Sequence, residues 1–438
     1  MTADVLIVGA GPAGLAAAVE LRRLGAGSVL VADREETPGG VPRHCAHTGF
    51  GLRDLRRVMT GPGYAGYYAA AAAAAGADIR TATTVTGWDS ERTVTMTSPR
   101  GIETVRARAV LLATGCRERP RSARLIPGDR PPGVMTTGEL QQRVYLGAER
   151  FGGRALVVGA EHVSFSAMLT LAHAGAQVVG LVTEQPRSQS FAVFSLAAAL
   201  RWRVPVWTST AVRRVAGRGR LAGVELGPAG LGLSGASVSG TGGGPPEGQG
   251  RDRFVPCDVV VFTGDWIPDH ELARRSGIAI DPGTRGPAVD TALETSLPMV
   301  FAAGNLVHAA ETADVAAAGG RHAARQIAAA LQKELGAAAP GTGPDPGTPG
   351  RVPLIAEPPL AWVFPNALRI PGPPPPRGRF LLRTAEFGPA GRFEVRQDGC
   401  LLARARHGRL IPGRSIQLTA AWTGRADPSA GPVRITAA

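Results

Sequence analysis

Gly9-Ala10-Gly11-Pro12-Ala13-Gly14 stands between a short apolar run, Asp4–Val8, and a helical pattern that continues to Leu24. A glycine turn this tight between strand and helix leaves few folds open. Gly9 permits the sharp turn, Gly11 lets a pyrophosphate approach the backbone, and Gly14 lets the helix lie close on the strand. Pro12 and Ala13 open the helix, whose first N–H groups and dipole favour a phosphate. The next apolar run, Ser28–Ala32, ends at Asp33, followed by Arg34. A carboxylate about 20 residues after the turn is placed to accept from a ribose hydroxyl. Strand, helix and strand in this order begin a doubly wound α/β sheet.

A second unit of the same kind follows: strand Ala155–Val158, helix Val163–Ala174 and strand Val178–Val182. Between the two, Thr81–Val110 alternates apolar and polar residues like a β-meander and runs into Ala113-Thr114-Gly115. The chain is therefore expected to be α/β, with two Rossmann-like three-layer ββα/βαβ nucleotide-binding domains. Residues 1–150 form the first part of the first domain, 151–284 the second, and 285–335 complete the first. A Pro/Gly linker (336–352) then leads to a small β-rich C-terminal module (353–438), where Arg379–Arg383 and Phe393–Gln397 alternate with period two. Gly227–Gly250 is rich in Gly, Ser and Pro and reads as an exposed hairpin tip.

The net charge of +13 does not point to nucleic acid. Nearly all of it is arginine, Lys333 being the only lysine, and the basic residues are scattered among Asp and Glu. A nucleic-acid surface gathers its charge on one face. The four cysteines, Cys45, Cys116, Cys257 and Cys400, lie far apart with no C-x-x-C pair. That argues against a disulfide framework, an iron–sulfur cluster or a metal site. No apolar stretch is long enough to span a bilayer, and Met1-Thr2-Ala3 leads directly into a strand, so a cytoplasmic location is expected.

Asp33 followed closely by Gly39-Gly40 resembles the adenosine and flavin loops of the two-dinucleotide-binding-domain flavoproteins, the pyridine nucleotide-disulphide oxidoreductase-like superfamily. Ala113-Thr114-Gly115, Ile126-Pro127-Gly128, Phe262-Thr263-Gly264 and Phe301-Ala302-Ala303-Gly304-Asn305 follow in the order of that group. The resemblance implies FAD, contacted by Gly9, Gly11, Pro12, Ala13, Gly14, Asp33, Arg34, Gly40, Ala113, Thr114, Gly115, Gly304 and Asn305. Asn305 replaces the family's usual Asp, and the helix from about Thr312 would direct its N-terminus at the flavin. Within the superfamily the pattern is similar to the flavin subunits of amine and amino-acid oxidising enzymes, such as opine oxidase, hydrogen cyanide synthase and proline dehydrogenase. That likeness implies a small-molecule substrate, with a partner subunit, an oligomeric assembly or a separate electron acceptor.

The second glycine turn is eroded to Gly159-Ala160-Glu161-His162-Val163-Ser164. Glu161 brings an anionic side chain to the place of a pyrophosphate, although Glu184 still ends the next strand like a ribose acceptor. Gly159 and Glu184 thus mark either an NAD(P) site or its relic. Cys45 has no partner for the disulfide relay of the superfamily. Arg43, His44 and His47 share its loop, and His308 lies beside Asn305. These histidines are either hydrogen-bonded loop residues or acceptors of a substrate proton, and Arg43 suits a substrate carboxylate or phosphate. The leading expectation is an FAD-dependent dehydrogenase or oxidase of a small amine, amino acid or hydroxy acid. The alternatives are an NAD(P)H-dependent flavin reductase serving a quinone or protein acceptor, and a flavin-stabilised non-catalytic subunit.

Overall fold

The computed structural model describes residues 1–90, 92–192, 200, 202–230, 252–337 and 350–437. The chain divides into two compact units, one of Met1–Cys116 with Ile267–Ala438 and one of Arg117–Trp266. Most of the Pro/Gly linker and of the hairpin tip lies outside the described residues.

In the first unit, Thr2–Val8 runs parallel to Val29–Ala32 on one side and to Gly101–Leu112 on the other. Asp78–Arg80 and Val300–Ala302 extend the parallel set. Thr84–Ser90 and Thr93–Ser98 complete a seven-stranded sheet as the antiparallel meander. These strands carry unbroken runs of Val, Leu, Ile and Ala because a parallel sheet is covered on both faces. Val5, Leu6 and Ile7 are fully buried. Helix Pro12–Arg23 packs along helix Ala313–Ala337. Glycine sets that approach, since a Cβ on Gly320 would lie 2.0 Å from the Ala13 carbonyl oxygen.

The C-terminal strands belong to this unit. Five of them form one sheet, and Leu360–Phe364, Arg379–Thr384 and Ile416–Thr419 form another. Phe380, Phe393, Val395 and Ile435 fill the space around them, while Trp362, Phe364 and Leu381 join the core of the parallel sheet. Polar contacts fasten the same seam. Asn366 and Val289 bond backbone to backbone at 2.9 Å, and Arg369 and Arg351 lie 3.0 and 3.1 Å from the buried Asp290.

The second unit has a five-stranded parallel sheet in the order 134–136, 259–262, 154–158, 177–182, 206–207. A three-stranded antiparallel sheet, 210–216, 223–228 and 253–256, accompanies it. The boundaries differ from those expected at 150 and 284. Val134–Thr136 pairs with Val260–Phe262 and so supplies an edge strand to the second sheet. The segment is too short and too weakly apolar to announce that pairing.

Two adjacent glycines give opposite expectations. Gly320→Ala should destabilise the protein by about 1–3 kcal/mol, because the methyl group meets backbone. Gly319→Ala should stabilise it by about 0.5–1 kcal/mol, since its Cβ would find only ordinary contact at 3.7 Å. Urea unfolding of the two variants checks both signs.

Candidate functional site

The glycine turn of the first unit is built by backbone meeting backbone. A Cβ on Gly9, whose φ is +109°, would lie 2.4 Å from the Ala113 carbonyl oxygen, and one on Gly14 would lie 1.9 Å from that of Gly9. Gly11 differs: nothing stands within 4 Å of its Cβ position. Helix Pro12–Arg23 begins there with no side-chain cap and no acidic residue in its first turn. Its leading N–H groups are thus left for an anion.

Asp33 holds the next element of the cradle. Its Oδ2 accepts from the Ala10 N–H and its Oδ1 from the Glu35 N–H at 2.8 Å. Each carboxylate oxygen keeps capacity for a further donor such as a ribose hydroxyl. Gly39 N–H donates to the Ala10 carbonyl at 2.8 Å, and Gly40 approaches Gly11, its Cβ position 2.9 Å from the Gly11 Cα. On the far side, Ala113 N–H donates to Val8 at 2.8 Å and the Thr114 hydroxyl to the Asp269 carbonyl at 2.8 Å. Gly304, at φ +73°, sits against Ala13. The open space at Gly11, the uncapped helix and the carboxylate at the strand end fit the adenosine and pyrophosphate of a dinucleotide. Arg34 is exposed, 3.6 Å from Asp269.

Other expected site residues are engaged differently. Asn305 staples its own loop: its Nδ2 donates to the Glu311 carbonyl at 3.1 Å and its Oδ1 accepts from the Glu311 N–H at 2.8 Å. Arg43 donates to the Thr37 carbonyl at 2.7 Å and lies 3.7 Å from Glu35, so the adenosine-side loop already holds its guanidinium. His308 is 1% exposed, its ring edge-on to Phe364, and burial lowers its pKa to about 4. The protein's own side chains cover that ring, which leaves a substrate no surface to touch. His44 is 6% exposed and is lowered to about 4 by desolvation and by the charge of Arg43, which makes it a weak base. His47 is exposed, with Nδ1 2.9 Å from the Thr48 carbonyl oxygen. That contact makes Nδ1 the donor and leaves Nε2 as the acceptor.

Reading the sequence noted Glu311 near these segments but missed Asp314 and the partners of both carboxyl groups. Asp314 fills the first turn of helix Ala313–Ala337 and accepts from the Gly51 and Arg53 N–H groups at 2.9 and 3.0 Å. Burial raises its pKa, and the neighbouring Asp54 carboxylate pushes the same way. The dipole end expected to face a flavin thus already carries a carboxyl group of the chain. Glu311 pairs with Arg383 of the C-terminal strands at 2.8 Å and accepts from the Ser415 hydroxyl. Partners some 70 to 100 residues away leave no local motif.

In the second unit the eroded turn is filled from within. Glu161 Oε2 accepts from the Ala160 N–H at 3.0 Å, and its Oε1 accepts from the Thr263 hydroxyl. Its carboxylate stands over both glycines of the site, 2.8 Å from the Cβ position of Gly159 and 2.7 Å from that of Gly264. Arg124 donates to the Thr263 and Gly264 carbonyls, each at 2.9 Å. Glu118, buried nearby with the Gly138 N–H at 2.8 Å, is pushed up to about 7 by desolvation. Glu184 is exposed at the end of its strand.

None of the four cysteines forms a disulfide, and among the described residues no helix is long and apolar enough to cross a membrane. The chain is 32% identical over 186 residues to hydrogen cyanide synthase subunit HcnB of Pseudomonas aeruginosa, covering 40% of this chain and 37% of that protein. It is 34% identical over 167 residues to an opine oxidase subunit of Agrobacterium tumefaciens, covering 36% of this chain and 32% of that protein. The chain thus matches only about a third of the length of these relatives. In fold it resembles the thioredoxin reductase of T. acidophilum, with a TM-score of 0.61 and 22% identity over 75% of this chain and 98% of that one. Residues 3–320 match the pyridine nucleotide-disulphide oxidoreductase family, and the chain is a flavoprotein oxidoreductase of that family.

Proposed function

We propose that the protein is an FAD-dependent dehydrogenase or oxidase of a small amine, amino acid or hydroxy acid, acting by hydride transfer to the flavin. The observation that carries this reading is the contrast between the two glycine turns. Nothing stands within 4 Å of a Cβ on Gly11, whereas the Glu161 carboxylate stands over Gly159 and Gly264. A second anion brought there meets a fixed negative charge at short range, which opposes a nicotinamide dinucleotide as the electron source. Glu184, still exposed at its strand end, favours the rival reading of an NAD(P)H-dependent reductase. The relatives described as subunits of an oxidase and a synthase support a partner subunit here as well. Electrons then leave for that partner, oxygen or a quinone.

Gly9, Gly11 and Gly14 would admit the FAD pyrophosphate to the helix N-terminus, and Asp33 would hold its ribose. When bound, FAD supplies a two-electron acceptor. Breaking the substrate C–H bond also requires a proton to leave the amine or hydroxyl. Of the three histidines His47 suits that task best, because its Nε2 is the acceptor and its ring is exposed. His44 and His308 are held neutral inside the protein and support the loops on which they stand. Arg43 orients an anionic substrate only if that substrate displaces Glu35.

Gly11→Val should yield a folded but colourless protein. The new side chain enters the cradle without striking the backbone, unlike any substitution at Gly9 or Gly14. Absorbance near the flavin bands, read beside a circular dichroism spectrum, separates lost binding from lost folding. A yellow Gly11→Val protein would contradict the cradle assignment.

His47→Gln should slow flavin reduction by the best substrate about 10²- to 10⁴-fold, the contribution of a positioned base. Its FAD content should stay intact. His308→Gln should instead lower the melting temperature, because it disturbs a sealed ring against Phe364. Equal rates in His47→Gln and the unmodified protein would remove His47 from the chemistry.

A further inference from the structure

Helix Ala313–Ala337 carries Ala318, Arg321, His322 and Arg325 at steps of three and four residues, and so along one face. With Arg53, Asp54 and Arg377 they line a cavity of about 230 Å³ in the first unit. Three separate segments thus bring four guanidinium groups to one hollow, and none belongs to the glycine turn or its ribose carboxylate.

The protein offsets only part of that charge. Arg321 donates to the Tyr68 hydroxyl at 2.6 Å and lies 3.7 Å from Asp54, whose Oδ2 also accepts from Tyr64 and Tyr68. Arg325 donates to Glu20 at 2.7 Å, a carboxylate already shared with Arg23. Among the described residues, the guanidinium groups of Arg53 and Arg377 have no hydrogen bond and no ion pair, although Arg53 feels the charge of Glu311 at longer range. Arg377 moreover holds φ at +57°, a conformation that residues with side chains rarely adopt. His322 places its Nε2 2.8 Å from the Thr291 carbonyl oxygen, and burial, with the charge of Arg325, lowers its pKa against the effect of that bond.

We propose that this hollow binds the phosphate group of a small phosphorylated ligand other than FAD. Like charges held together repel unless an anion joins them. A planar carboxylate is served by a single arginine fork. Arginines that converge from three segments match the several oxygens of a tetrahedral dianion. Surplus charge on Arg53 and Arg377 then supplies two donors, while Arg321 and Arg325 are fixed in place by Tyr68 and Glu20.

Calorimetric titration of the FAD-saturated protein with inorganic pyrophosphate, at constant ionic strength, tests the proposal. One saturable site is expected, weakened about tenfold or more when Arg53→Gln and Arg377→Gln are combined, because each lost contact is a charge-assisted hydrogen bond. FAD content and melting temperature should not change, since both side chains are exposed and carry no internal bond. Citrate, titrated in parallel, should bind more weakly than pyrophosphate. Absence of saturable binding, binding indifferent to the two substitutions, or citrate binding as tightly as pyrophosphate would each overturn the assignment.

Discussion

Everything at the dinucleotide cradle depends on four backbone segments approaching more closely than any Cβ would allow. The Gly14 Cα meets the Gly9 carbonyl, Gly9 meets Ala113, and Gly320 meets Ala13. Thereby the first strand, the strand Gly101–Leu112, the fingerprint helix and the long helix Ala313–Ala337 are drawn to one point. The chain segments that meet there come from both ends of a discontinuous unit. Parallel pairing of Thr2–Val8 with Gly101–Leu112 sets the distance, and Leu6, Ile7 and Leu111 bury its cost in apolar contact.

Once that geometry is fixed, the use of each N-terminal helix end turns on which anion reaches it. At Gly11 the first helical turn carries no acidic residue and nothing stands within 4 Å of a Cβ, so the space stays open to a phosphate, while the Asp33 carboxylate is held at the neighbouring Ala10 N–H. At Glu161 the chain offers a carboxylate of its own, tied down by the Ala160 N–H and the Thr263 hydroxyl. Asp314 treats the start of helix Ala313–Ala337 in a similar manner, capped by two loop N–H groups. One physical preference, that of a helix N-terminus for negative charge, is left open to a ligand in one place and meets side-chain carboxyl groups in two others. That difference separates the proposed substrate oxidation from nicotinamide oxidation.

The elements whose signals are local were legible in the sequence. Both glycine turns, the helices after them, the meander and the period-two strands Arg379–Thr384 and Gly391–Gln397 stand where the pattern placed them. What pattern could not reach are contacts between distant residues. Glu161 was visible as an intruder, but not its bond to Thr263, 102 residues on. His308 looked available beside Asn305 until Phe364 from the C-terminal strands closed over it. Arg43 looked free for a substrate, yet Thr37 and Glu35 hold it, because loops satisfy their cations nearby. The seam of Asp290 with Arg351 and Arg369 likewise has no sequence signature.

The most direct test of the whole account is the anaerobic reduction of the bound flavin by rapid mixing. The unmodified protein should be mixed with NADH, with NADPH and with a panel of amines, amino acids and hydroxy acids, and Glu161→Gly with the nicotinamides alone. The account predicts rapid reduction by one member of the panel, sluggish reduction by both nicotinamides, and faster nicotinamide reduction once the Glu161 carboxylate is removed. Reduction of the unmodified protein by NADH or NADPH within milliseconds, with no response to any member of the panel, would contradict it.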